Sequence, residues 1–208
     1  MSKLQKSGDK WVFQTEADLE EFIWANLRNL FGLLPVRQQH FVSGQFCDIL
    51  AASNEHQLVI IELKNQEDRY VVQQLTRYYH ALLQEKPYAD KIDYSKTARL
   101  IAITPSFHRD NLIDRKYNRL SLDFWSFEVV SKNSQFICKL KDIDSKQTLS
   151  CKIPYQLEEL TLVLPPIPRK ISRHIADLDE TIQKRIIQIR EKILNIEIAL
   201  EKWLAKLS

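Results

Sequence analysis

The sequence predicts an α/β protein: a mixed β-sheet core in the order α-β-β-α-β, flanked by helices, followed by a long C-terminal helix of coiled-coil character. Three observations carry this. Apolar residues recur at helical spacing over 16–31, and apolar β-prone runs at 40–52, 57–63 and 99–104 bracket a second helical stretch at 67–84. A heptad repeat then follows a proline-rich segment near the C-terminus.

With 208 residues, 44% of them hydrophobic, the chain can bury a sizeable core as one domain with an appendage. Lys plus Arg (30) nearly balance Asp plus Glu (27), which excludes an overall basic field, so an anionic partner would be met by a local patch. Cys47, Cys138 and Cys151 are odd in number and lack CxxC spacing, and the five histidines show no HxH or HxxxH, against a disulfide framework or a zinc site. The N-terminal segment has no signal-peptide core, and no apolar run approaches the roughly 18 residues of a membrane span, so a soluble, cytoplasmic protein without a membrane partner is expected.

The first helix places Leu19, Phe22, Ile23, Leu27, Leu30 and Phe31 on one stripe, and Thr15 with Asp18 fits a capping box at its start. Gly32 and Pro35 end it. Strands over 40–52 and 57–63 are joined by the polar turn Ser53-Asn54-Glu55-His56, which predicts an antiparallel hairpin. The helix over 67–84, free of Gly and Pro, follows directly. Next come a buried strand at 99–104, a short helix at 107–117, a β-prone segment at 122–130 and a polar-faced hairpin from 135–141 and 147–153.

Two acids and a base interrupt this apolar pattern. Side chains alternate along a strand, so Glu62 and Lys64 leave one face at the end of the run Leu58-Val59-Ile60-Ile61. If Asp48 lies on the neighbouring strand, its carboxylate converges with that of Glu62, and the two repel unless a cation sits between them. Mg²⁺ (or Mn²⁺) is the natural cation, because it takes oxygen ligands such as Asp48, Glu62 and the Leu63 carbonyl while keeping waters and substrate phosphate oxygens. Lys64 would position or deprotonate the attacking water and offset phosphate charge, which suits phosphodiester hydrolysis.

Asp48, thirteen intervening residues and Glu62-Leu63-Lys64 form a D…ExK pattern. In this the chain resembles the PD-(D/E)XK nuclease superfamily, and in particular the branch of NucS/EndoMS-like and RecB-like nucleases. EADLEEFIWANL resembles the ExDLE helix of NucS-like domains, which implies that Glu16 is the helical acid at the metal site, with Glu20 one turn on as its competitor. Gln74-Leu75-Thr76-Arg77-Tyr78 resembles the QxxxY motif, and its spacing selects Gln74 and Tyr78, on one helical face, as hydrogen-bonding supports of the site. The resemblance spans about residues 12–85 and implies a restriction-endonuclease-like fold, a Mg²⁺-dependent deoxyribonuclease activity and DNA as partner. The chain departs from the family at Cys47, where proline is usual, and at Gly44, one position farther from the aspartate than the usual glycine. The opposing reading is a noncatalytic nucleic-acid-binding or assembly protein built on the same fold. The intact acid and lysine set speaks against it.

Three prolines in 164–168 predict a stiff linker, which divides the chain into a nuclease-like domain (1–164) and a tail (165–208). In the tail Ile182, Ile186, Ile189, Ile193, Ile196, Leu200, Trp203 and Leu207 alternate steps of four and three. A homodimer through this helix, packing on its own domain, and a different protein partner are the alternatives. Arg37, Arg69, Arg77 and Lys96 are candidate phosphate contacts or ordinary solvated charges.

Overall fold

Thr15 opens the first long helix, and its surroundings show how closely local chemistry sets the element boundaries. In the computed structural model, which describes residues 3–8, 10–132 and 135–154 and scattered positions between 179 and 193, helix α1 is Glu16–Phe31. The Thr15 hydroxyl accepts from the Asp18 amide at 3.1 Å, and Asp18 accepts from the Thr15 amide at 3.0 Å, completing the predicted capping box. At the other end Gly32, at φ 66°, caps the helix in the left-handed conformation. Thr15→Ala is expected to lower stability by about 1 kcal/mol, read as an earlier urea midpoint of the full chain with an unchanged slope.

Strands β1 (Leu4–Ser7) and β2 (Lys10–Phe13) precede α1, and β3 (Leu34–Val42), β4 (Gln45–Ala52) and β5 (Leu58–Leu63) follow it. Helix α2 (Val71–Glu85), strand β6 (Arg99–Thr104), helix α3 (Arg109–Tyr117) and strands β7 (Leu122–Lys132), β8 (Gln135–Asp142) and β9 (Thr148–Ile153) complete the order. The strands form a single sheet in the order β1-β2-β7-β6-β5-β4-β3, with β8 added to β7 and β9 to β8. The fold is mixed α/β: β5, β6 and β7 are parallel, and the other pairs are antiparallel. The three parallel strands are apolar on both faces because helices cover both. On one side α1 buries Leu19, Phe22, Ile23 and Leu27 against Ile49, Val59, Ile61, Ile101 and Ile103. On the other, α2 buries Val71, Val72, Leu75 and Leu82 against Leu50, Leu58, Ile60, Leu100 and Ala102.

Several boundaries differ from the sequence expectation. The run 40–52 is two strands: a turn at Ser43 (φ 49°) and Gly44 (φ 78°) folds it into the β3–β4 hairpin. Both turn residues have positive φ, the geometry of a tight two-residue hairpin, and the Ser43-Gly44 dipeptide is itself a turn signal of the sequence. Pro35 lies inside β3 rather than merely ending α1, which is permitted because β3 is the edge of the sheet and its outward side needs no amide. Helix α2 begins at Val71, since Asp68 accepts from the Tyr70 amide at 2.6 Å and holds 67–70 as a lead-in loop. The N-terminal β1–β2 hairpin has four residues per strand, too short for a periodic signal. The hairpin of β8 and β9 extends the sheet from β7, with the free thiols Cys138 and Cys151 paired in register across it.

The proline segment at 164–168, with the domain boundary placed there, lies outside the described residues, as do Ile196, Leu200, Trp203 and Leu207 of the heptad run. Among the described positions of the tail, Ile182, Ile186, Ile189 and Ile193 are helical. No helix among the described residues is long and apolar enough to cross a membrane.

Candidate active site

The antiparallel pairing of β4 with β5 runs from Ala52↔Leu58 to Ile49↔Ile61 and stops. Where the next backbone partners would meet, the strands part, and the Asp48 carboxylate takes the Leu63 amide instead, Oδ2 accepting at 2.8 Å. The break has a local cause. Cys47 shares the α2-side core with Leu50 and Ala52 while Ile49 and Ala51 face α1, so strict alternation fails at Asp48. Opposite it on β3, Gln39 sits at φ 49°, a conformation rarely taken by a residue with a side chain. The irregularity turns Asp48 into the gap beside Glu62. Both acids are buried, at 7% and 1% exposure.

Lys64 closes the group. Its amide donates to Ile103 O on β6 at 3.0 Å, which fixes the chain just past β5. Its ammonium pairs with Glu62 Oε1 at 2.8 Å and with Glu16 Oε1 at 3.4 Å. The other Glu16 oxygen accepts from the Asn65 amide at 3.4 Å, and Asn65 Nδ2 donates to Phe13 O at 2.7 Å, so the start of α1 is tied to the residue after the ExK motif. Glu16 itself remains 45% exposed on its side chain.

Glu20, one turn farther into α1, is the more deeply placed helical acid, at 5% exposure. Gln39 Nε2 donates both to Glu20 Oε2 and, at 3.3 Å, to Asp48 Oδ1, so a single amide bridges the helix and the strand. Glu20 was visible in the sequence as the competitor of Glu16. Gln39 belongs to no motif, and nothing in the sequence marks its positive φ.

On the α2 side, Tyr78 is buried at 4% exposure. Burial first, and then the nearby Glu62 charge, push its hydroxyl above the ordinary range. Gln74 shares that helix, and its Oε1 is buried with no donor among the described residues. The structure therefore gathers Asp48, Glu62, Lys64 and Tyr78 at one place, sets Glu16 at the rim and brings in Glu20 through Gln39.

The electrostatics follow from crowding acids in a dry space. Burial, reinforced by the Asp48 charge and opposed by Lys64, pushes Glu62 up to about 8. Burial likewise raises Asp48 and Glu20, against the Leu63 amide bond in the first case and the Gln39 amide bond in the second. Burial works against the Lys64 charge, yet the carboxylates of Glu62, Glu16 and Asp48 outweigh it and hold the ammonium above its ordinary value. Ionised, Glu62 keeps one buried oxygen, Oε2, without a donor, and Glu20 Oε1 is in the same position. Such oxygens are costly unless something satisfies them, and the donor set fits a hard divalent cation. Among the described residues no three acidic, His or Cys side chains gather tightly enough to hold a metal alone. An ion here would draw its remaining ligands from water, backbone carbonyl and phosphate, the usual habit of Mg²⁺.

Residues 15–104 match the endonuclease NucS C-terminal domain family. An uncharacterized protein of Haemophilus influenzae is 23% identical over 204 residues, covering 91% of this chain and 67% of that protein. Among solved structures, EndoMS in complex with double-stranded DNA is 20% identical with a TM-score of 0.44, over 61% of this chain and 49% of that one. A repair endonuclease from Pyrococcus abyssi is 17% identical with a TM-score of 0.41, over 58% and 63%. The chain thus spans about half to two thirds of the length of these structures. The matched segment runs from the cap of α1 to the end of β6 and contains every residue of the acid and lysine cluster, so the similarity to the endonuclease NucS C-terminal domain falls on the part of the chain that builds the site.

Proposed function

We propose that the chain is a metal-dependent DNA endonuclease that hydrolyses phosphodiester bonds at the Asp48–Glu62–Lys64 cluster. The observation that carries this reading is the parting of β4 from β5, which leaves two buried carboxylates and an ammonium at one point, with Glu62 Oε2 buried and without a donor. Asp48 and Glu62, with the Leu63 carbonyl, hold Mg²⁺ or Mn²⁺. The ion, when bound, supplies charge neutralisation for the phosphate and a more acidic bound water.

The residues of the chain do the rest. Lys64, paired with Glu62 and Glu16, is a cation, so it orients the water and offsets charge on the phosphate rather than taking a proton. Water attacks phosphorus and releases its proton to solvent, the bond to the leaving oxygen breaks, and that oxygen is protonated from solvent. Glu16 anchors Lys64 at the rim, and Gln74 and Tyr78 line the α2 side. The C-terminal heptad helix joins two copies of the chain, so that two such sites act on DNA from a cytoplasmic homodimer.

The test is cleavage of labelled single-stranded, duplex and forked DNA by the full chain in Mg²⁺, in Mn²⁺ and in EDTA. Cutting in metal and none in EDTA is the expected result. Binding without cutting on all three substrates in both metals would overturn the catalytic reading.

A further inference from the structure

The tip of the β3–β4 hairpin carries two exposed phenyl rings. Phe41 and Phe46 are cross-strand partners in register, their centroids 5.1 Å apart and their planes tilted by 59°. They are 57% and 56% exposed, in a chain that buries Phe13, Phe22 and Phe124 completely. The nuclease core does not need them there: Val42, between Phe41 and the turn, already packs into the α2-side core. The turn residues, Ser43 and Gly44, hold the two strands in a tight two-residue hairpin, so the pair is presented on a short, fixed support.

Their position relates them to the acid cluster. Phe46 lies two residues before Asp48 on β4, and Phe41 two residues after Gln39 on β3. The aromatic pair is the second cross-strand rung beyond the Gln39–Asp48 contact, with His40↔Cys47 between them, about 7 Å along the hairpin. Resting on the nuclease reading above, we propose that Phe41 and Phe46 form a stacking platform for an unpaired nucleobase beside the phosphate held at Asp48 and Glu62. A phosphate at the cluster puts its own nucleoside within that distance, and an aromatic face accepts any base without reading its sequence.

Size separates this occupant from a protein. An aromatic side chain presents roughly 150–250 Å² in all, so two rings little more than half exposed offer on the order of 200 Å². A stable protein interface takes about 800 Å² per partner. The patch is the size of a base, and it calls for an unpaired one, since in a duplex both faces of each base are already covered.

The test uses forked DNA with 2-aminopurine in the unpaired strand at the fork, and a fully paired duplex as control, bound in EDTA by the full chain. Stacking on the rings quenches the 2-aminopurine signal on the fork and leaves the duplex unaffected. Phe41→Leu/Phe46→Leu keeps apolar volume at two exposed positions but removes both π faces. It is expected to lose the quench and weaken fork binding about tenfold or more, with duplex affinity and the melting temperature unchanged. Phe41→Tyr/Phe46→Tyr restores both. Equal quench and affinity in the Leu variant would overturn the platform while leaving the nuclease reading intact. So would a Leu variant that sediments as a smaller species with fork binding unaltered, which would make the pair a protein contact. Failure of the wild-type chain to bind any DNA would remove the platform and the nuclease reading together.

Discussion

Glu62→Ala and Lys64→Ala are each expected to cut metal-dependent cleavage by about 10²- to 10³-fold or more, the scale set by removing one preorganised electrostatic group from a dry site. The two variants differ in what they do to the fold. Glu62→Ala removes the acid that burial most disfavours in its charged form, and leaves Lys64 with Glu16 at 3.4 Å. Lys64→Ala instead leaves Asp48 and Glu62 buried without their cation, and breaking a buried pair from one side costs about 3–5 kcal/mol. Lys64→Ala is thus expected to be inactive and to melt lower, and Glu62→Ala to be inactive and to melt no lower than wild type. Single-turnover cleavage and thermal melts in EDTA on the same preparations check both. Retention of cutting within tenfold of wild type in either variant would place the chemistry elsewhere.

What could be read from the sequence divides along a physical line. Elements whose signal is local were legible: the capping box at Thr15 and Asp18, the apolar stripe of α1, the apolar runs of β5 and β6. So was the convergence of Asp48 and Glu62, because the hairpin register that pairs Ile49 with Ile61 makes these two acids the next cross-strand neighbours. Features that depend on a single backbone angle were not legible. The left-handed Gln39 gives no sequence signal at all, although it links Glu20 to Asp48. Pro35 read as a helix terminator because its tolerance in β3 depends on that strand's being at the sheet edge, which is a property of the assembled sheet. Glu16 and Glu20 were inseparable for a related reason. They lie one turn apart on α1, and only the packed structure shows that Glu20 is buried while Glu16 stays at the rim.

Glu62 also gives the metal-free chain a pH dependence whose sign can be worked out. Its ordinary value is 4.5 and its value in the fold is about 8, so the folded state holds the proton more tightly than the unfolded chain does. The stabilisation is complete below 4.5 and is lost as pH rises through 8, at up to about 1.4 kcal/mol per pH unit between them. Glu62→Gln removes this titration, because the amide is neutral at every pH in the window. Melts in EDTA from pH 5 to pH 9 should therefore show wild type losing stability relative to Glu62→Gln as pH rises, with the variant the more stable above pH 8. Mg²⁺ should raise the melting temperature of wild type at the alkaline end and leave Glu62→Gln unmoved, since a ligand stabilises only the state that binds it. Parallel profiles for the two proteins would mean that Glu62 is solvated and its carboxylate under no strain. The expected divergence has a functional sense. A fold optimised for stability alone would carry glutamine or leucine at the end of β5, and on the proposed reading the carboxylate that destabilises the metal-free chain turns that cost into affinity when a cation binds.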